Sequence, residues 1–257
     1  VGILNQTVDK IIFPKIYPDT ANAFTELGIY GQNFKIAIIM VMFTQAFRYA
    51  FEPFIFSRSR GDIDEKRSFS DATKYFLIFG LLIFLVTTGF IDIIKFMIPP
   101  EYHVGLKVVP IVLLGELFFG VYFNLSLWYK LTDQTRWGAY MSTFGFVITI
   151  AINVIFIPKY SYMACAWASF FANLIMMIIS YVVGPKKYPI PYNLKSAAGF
   201  FTLSMILFGG IAASMQFVTN LWLRLFIGAA CILLYLSVIV KKELPLKEWP
   251  IIGKYFG

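Results

Sequence analysis

Residues 106–130 read LKVVPIVLLGELFFGVYFNLSLWYK. Of the 22 residues between Lys107 and Lys130, only Glu116 carries a charge. As a helix rising 1.5 Å per residue, such a stretch covers roughly 33 Å, against the ~30 Å hydrocarbon thickness of a bilayer. Six further stretches share this character, at about 30–57, 74–98, 136–157, 162–183, 194–217 and 219–240. A shorter one, at 1–15, reads as the late part of a helix running into a loop. The whole chain agrees with this pattern. It is 59% hydrophobic and only 14% charged, with mean hydropathy +0.73, whereas a soluble domain has roughly a quarter of its residues charged. So many apolar residues do not fit in one core, and lipid must be the solvent. The expected fold is all-α: a polytopic membrane protein of about seven transmembrane helices plus a partial N-terminal one. These occupy 1–240, and the tail over 241–257 is too short to fold alone.

Breakers separate the spans: Pro99-Pro100, a turn at Asp133, Pro158, and the run GPKKYPIPYN over 184–193. Pro53 and Pro110 fall inside spans, where neighbouring helices re-satisfy the freed carbonyls. The loops set an orientation. With the loop after the first full span in the cytoplasm, that side gathers Arg58, Arg60, Lys66, Arg67, Lys74, Lys130, Arg136, Lys186, Lys187, Lys195, Lys241, Lys242, Lys247 and Lys254. The opposite side holds Lys15, Lys95, Lys107, Lys159 and Arg224. This excess follows the positive-inside rule and predicts a cytoplasmic C-terminus. Trp128, Tyr129, Trp137 and Tyr140 cluster at one helix–loop–helix junction, as amphipathic rings do at a headgroup boundary. The one long polar segment, SRSRGDIDEKRSFSDA over 57–72, reads as a solvated cytoplasmic connection. The opening VGILNQTVDKIIFPKIYP has no signal-peptide pattern and points to the C-terminal portion of a longer protein.

The net charge of +8 does not indicate nucleic acid, because the cations sit in short loops between apolar runs and form no extended stripe. Cys165 and Cys231 lie inside apolar runs and read as small hydrophobes. His103 is the single histidine, so no metal site or cofactor is expected, and no phosphate-binding G-x-x-x-x-G-K-[ST] loop occurs. The glycosylation patterns at Asn5 and Asn124 read as chance. Asp92 with Lys95, and Glu101 with His103, read as solvated groups near the outer boundary.

Ionisable groups within spans are costly and so are candidates for function. The sharpest cluster lies in FTQAFRYAFEPF, where Gln45, Arg48 and Glu52 share one helical face. An Arg beside a water-filled cavity suits a phosphate, since its planar fork makes two charge-assisted hydrogen bonds. The plainer alternatives are an internal Arg48–Glu52 pair, or an Arg reaching to the membrane boundary. In the third span Glu116, Gly120, Asn124 and Trp128 recur every four residues, so this stripe should face protein or water. Glu116 is a candidate for carrying a coupling proton or sodium ion; the alternative is a carboxyl simply paired between helices. Two stripes of small and polar residues, Ser142–Gly145–Thr149–Asn153 and Ser169–Asn173–Met176–Ser180, read as helix–helix glue.

The segments FTQAFRYAFEPFIFSRSR (43–60) and LKVVPIVLLGELFFGVYFNLSLWYKLTDQTRWGAYMS (106–142) resemble the oligosaccharide flippases of bacterial surface-polysaccharide and lipopolysaccharide pathways, within the multidrug/oligosaccharidyl-lipid/polysaccharide exporter superfamily. The opening NQTVDKIIFPKIYPD (5–19) resembles the start of that family's second half. The resemblance implies a two-half exporter of which this chain is the second half, its partners being the missing N-terminal half and membrane lipid. It implies flipping of an undecaprenyl-pyrophosphate-linked oligosaccharide across the inner membrane by alternating access, with no enzymatic step. Arg48, with Gln45 beside it, matches the cationic residues that meet the pyrophosphate, and Glu52 and Asn124 are grouped with them as substrate-binding. Half a bundle does not enclose a cavity, so the chain alone is not expected to transport. The rival readings are a multidrug or cation antiporter of the same superfamily, which calls for an acidic, aromatic-lined cavity, and a glycosyltransferase or ligase acting on the same lipid. The latter lacks an Asp/Glu/His constellation here.

Overall fold

A computed structural model describes the backbone of residues 2–58 and 63–243 and the side chains of 8–53 and 66–243. The side chains of Asn5, Arg58 and Arg60, and the tail beyond 243 with Lys247 and Lys254, lie outside that description. The chain is an all-α, multi-pass membrane protein. Among the described residues, seven helical spans are long and apolar enough to cross a bilayer: Ala23–Pro53, Lys66–Gly89, Pro100–Leu131, Arg136–Tyr160, Tyr162–Lys187, Leu194–Phe217 and Leu221–Glu243. Helix α1 (Gly2–Ile16) precedes them. They correspond to α2 (Ala23–Arg58), α3 (Ile63–Gly89), α5 (Val109–Leu125) with α6 (Leu127–Leu131), α7 (Arg136–Tyr160), α8 (Tyr162–Lys187), α9 (Leu194–Phe217) and α10 (Leu221–Glu243), with a short α4 (Ile91–Ile94) after α3.

Polarity is distributed as lipid demands. Large apolar side chains such as Phe24, Met42, Phe226 and Leu233 are exposed, while Asn33, Asn153 and Ser204 are fully buried. With no water in the bilayer interior, polar groups gather where helices meet and apolar ones face outward.

Several boundaries differ from the sequence reading. The second span, expected over 74–98, is shifted toward the N-terminus. Much of the polar segment 57–72 is the helical start of α3, where the i,i+3 pair Asp71–Lys74 stands at 3.5 Å. The helix stops at Gly89. After α4 the chain continues through 3-10 turns at Lys95–Met97 and Pro100–Val108. Pro158 does not break its span, for it lies in the last turn of α7, and Pro185 likewise lies within α8. The break is Ser161, the sole residue between α7 and α8, at φ 49°. Its carbonyl accepts from the Ala164 amide at 3.0 Å and its hydroxyl donates to Glu26 Oε2 at 2.5 Å, which hold this uncommon conformation.

The chain divides into two compact units. The first comprises residues 1–77 and 95–193. Its most extensive helix contact is α5 on α8, followed by α7 on α8, α1 on α7 and α2 on α5. The glue stripes lie in these contacts: Gly145, Thr149, Asn153, Asn173, Met176 and Ser180 are all buried. A methyl added at Gly145 would overlap the Met176 sulfur, so the flexible Met176 side chain would have to shift. At one end of this unit Asn33 Nδ2 donates to the carbonyls of Ile29 and Tyr102, both at 2.8 Å, tying the 3-10 helix to α2. His103 is not a free solvated group: its Nε2 lies 2.9 Å from the Lys95 carbonyl and 3.2 Å from that of Ile98. Trp128 and Tyr129 are buried among Trp137 and their neighbours, and of the junction aromatics Tyr140 is the exposed one.

The second unit comprises 78–94 and the chain from 194 on. Gly228 on α10 meets Gly89 backbone to backbone, and the fully buried Tyr235 donates to the Ile78 carbonyl at 3.2 Å. Asp92, expected to be solvated, is buried and pairs with Arg224 at 3.1 Å. The close approach at Gly228 brings Arg224, one turn earlier on α10, toward the carboxylate.

Candidate functional site

Both groups of candidate residues fall in the first unit. One is built on the last turns of α2. Arg48 and Glu52 sit one turn apart there, and the Arg48 Nε lies 3.8 Å from Glu52 Oε1. The same oxygen accepts a hydrogen bond from Lys130 Nζ at 2.7 Å. Lys130 belongs to α6, which forms because Ser126 interrupts the preceding helix. The Ser126 hydroxyl donates to the Phe123 carbonyl at 2.7 Å, and a new turn starts beyond it. The Arg48 guanidinium lies 5.1 Å from the centre of the Phe123 ring and 5.6 Å from that of Tyr49. These aromatic faces hold a cation at fixed height without neutralising it. Arg48, Glu52 and Lys130 are each about 30% exposed.

Gln45 lies one turn before Arg48 and is half-buried. Among the described residues no hydrogen bond joins it, or Asn124, to the trio. Asn124 is buried with its amide nitrogen unsatisfied. Lys130 was read from sequence only as a loop cation; its place directly after the buried Trp128-Tyr129 pair is the signal that it belongs to the helix packing.

The second group surrounds Glu116. The stripe Glu116–Gly120–Asn124–Trp128 is buried along its length, as its spacing predicts. Glu116 shares with Asp9 of α1 a cavity of about 10 Å³, also lined by Tyr30, Phe34, Phe119, Ser169 and Asn173. That volume holds about one water or a small ion. Asn173 is anchored by donating to the Gly115 carbonyl at 3.1 Å, and Asp9 Oδ1 accepts from the Lys10 amide at 2.9 Å. The fully buried Tyr30 hydroxyl makes no hydrogen bond within standard geometry. Two buried carboxylates lining one cavity repel unless a proton or a cation neutralises the site. Asp9 is a candidate residue that span-by-span reading passes over, because it lies in a helix too short to count as a span.

Among the described residues no three of His, Cys, Asp and Glu converge as a metal cluster. No protein-family model, curated protein or solved structure matches the chain.

Proposed function

We propose that this chain is the second half of a flippase that carries undecaprenyl-pyrophosphate-linked oligosaccharide across the bacterial inner membrane for surface-polysaccharide assembly, by alternating access and with its C-terminus in the cytoplasm. One observation carries the reading: Arg48 and Lys130 converge, partly exposed, at helix ends on the side whose loops together gather most of the cations. Two cations against one carboxylate leave a net positive pocket, which fits the phosphate groups of such a lipid. The Asp9–Glu116 cavity supplies a place for a proton or sodium ion whose gradient drives turnover.

A second reading draws on that same cavity, which is acidic and aromatic-lined as a multidrug or cation antiporter requires. Its volume argues against drugs as cargo, since pockets for such molecules span roughly 300–1,000 Å³, and it favours a coupling ion. The deciding experiment is Arg48→Glu in the protein of the cell that makes it. Surface polysaccharide should be lost while membrane insertion is retained. Polysaccharide at the wild-type level would remove Arg48, and this function with it.

A further inference from the structure

We infer that Glu52 is a stand-in anion that occupies the phosphate site of the empty protein, and that Lys130 is the second phosphate-binding cation. The inference rests on the proposed flippase reading and deepens it. It starts from an imbalance in the cluster. Two cations converge on one oxygen of Glu52, and only Lys130, at 2.7 Å, is within hydrogen-bond distance. Arg48 stands off at 3.8 Å, and among the described residues its buried Nε has no hydrogen-bond partner. A buried donor left unused is costly, and in a structure this densely packed it calls for an explanation. Phe123 and Tyr49 lie beside the guanidinium, and the carboxylate meets it only at long range. Its polar edge is therefore ready for an acceptor that Glu52 does not supply.

A phosphoryl group supplies it. Cations that share one carboxylate oxygen are close enough to share one phosphate, whose two free oxygens reach donors that a single carboxylate oxygen does not. A diphosphate esterified at both ends still carries one negative charge on each phosphate, more than one carboxylate, so it competes with Glu52 for both cations. Glu52 has room to yield, because its side chain is partly exposed. In the empty protein it holds Lys130 and Arg48 in place and screens them from bulk anions. When the ligand enters, Glu52 swings aside and the site's charge rises by one unit.

A purely structural ion pair predicts the opposite response to mutation, which makes the inference testable. The complete protein, with both halves, in nanodiscs at low salt is titrated with farnesyl diphosphate, farnesyl monophosphate and inorganic pyrophosphate, with calorimetry as the readout. Partly exposed ion pairs are worth about 0.2–1 kcal/mol, so Glu52→Gln should bind farnesyl diphosphate up to roughly fivefold more tightly than wild type. Glu52→Asp, which retains the charge but draws it back, should move the same way by less and guards against misfolding of the first variant. Lys130→Gln should weaken binding about tenfold or more, the value of a charge-assisted hydrogen bond. Equal or weaker binding in both Glu52 variants, or unchanged binding in Lys130→Gln, overturns the inference. If Arg48→Gln weakens binding while the Glu52 variants do not tighten it, the stand-in role alone fails. If wild type binds none of the probes, the flippase reading fails with it. Tighter binding of farnesyl diphosphate than of pyrophosphate assigns the ligand to a lipid headgroup, and parity assigns it to a soluble anion.

Discussion

Gly115→Ala is a one-methyl test of how α5 meets α8, and so of the walls of the Glu116 cavity. The added Cβ would lie 3.2 Å from the Phe170 Cα and 3.4 Å from its nitrogen, where ordinary contact spans 3.4–4 Å. Both atoms are backbone, so no side chain can rotate away and α8 itself must move by a few tenths of an ångström. Overpacking of this kind costs about 1–3 kcal/mol, and alanine returns about 1 kcal/mol through helix propensity. The shift also stretches the bond from Asn173 to the Gly115 carbonyl, and interhelical hydrogen bonds in membranes average ~0.6 kcal/mol. The net expectation is a loss of about 1–2 kcal/mol. Gly31→Ala on α2 is the control, since a Cβ there meets nothing within 4 Å; it should be neutral or slightly stabilising. Unfolding in mixed micelles of dodecyl maltoside and dodecyl sulfate, followed by tryptophan fluorescence, reads both. Gly115→Ala as stable as Gly31→Ala would refute the close approach of the two helices.

Other consequences can be checked in the same preparations. Glu116→Gln leaves one carboxylate in the cavity, so transport by the complete protein should lose its dependence on pH or sodium; an unchanged profile rules out coupling through Glu116. Arg224→Gln removes the partner of Asp92 in the second unit. It should cost about 1 kcal/mol in the micelle titration, because the pair is partly exposed and its attraction is screened; no change would mean the pair contributes nothing.

Composition and run length made the membrane-spanning helices legible, because lipid imposes one constraint on every span. Spacing also revealed which faces turn inward. The Glu116–Gly120–Asn124–Trp128 stripe is buried as read, the Ser142–Gly145–Thr149–Asn153 stripe is buried except for the half-exposed Ser142, and Arg48 and Glu52 do approach one another. What a face meets is another matter. Lys130 is 78 residues from Glu52, and Asp9 reaches the Glu116 cavity only because α1 packs within the first unit. Periodicity gives the direction of a side chain but not the identity of its neighbour on another helix. Local signals misled in two places. Pro158 looked like a breaker, but α7 runs on through it to Tyr160, and the reversal fell to Ser161. Asp92 looked solvated because it lies near the outer end of its expected span, yet α10 brings Arg224 to it.

The central claim is that charges kept at depth face an aqueous path while the apolar surfaces face lipid. Cysteine labelling measures this directly. In a background with Cys165 and Cys231 replaced by alanine, Gln45→Cys reports on the Arg48 face of α2 and Leu233→Cys on the exposed apolar face of α10. A charged, membrane-impermeant thiol reagent should modify Gln45→Cys and leave Leu233→Cys to lipid-soluble reagents alone. Gln45→Cys inert to the charged reagent, with Leu233→Cys open to it, would contradict the account.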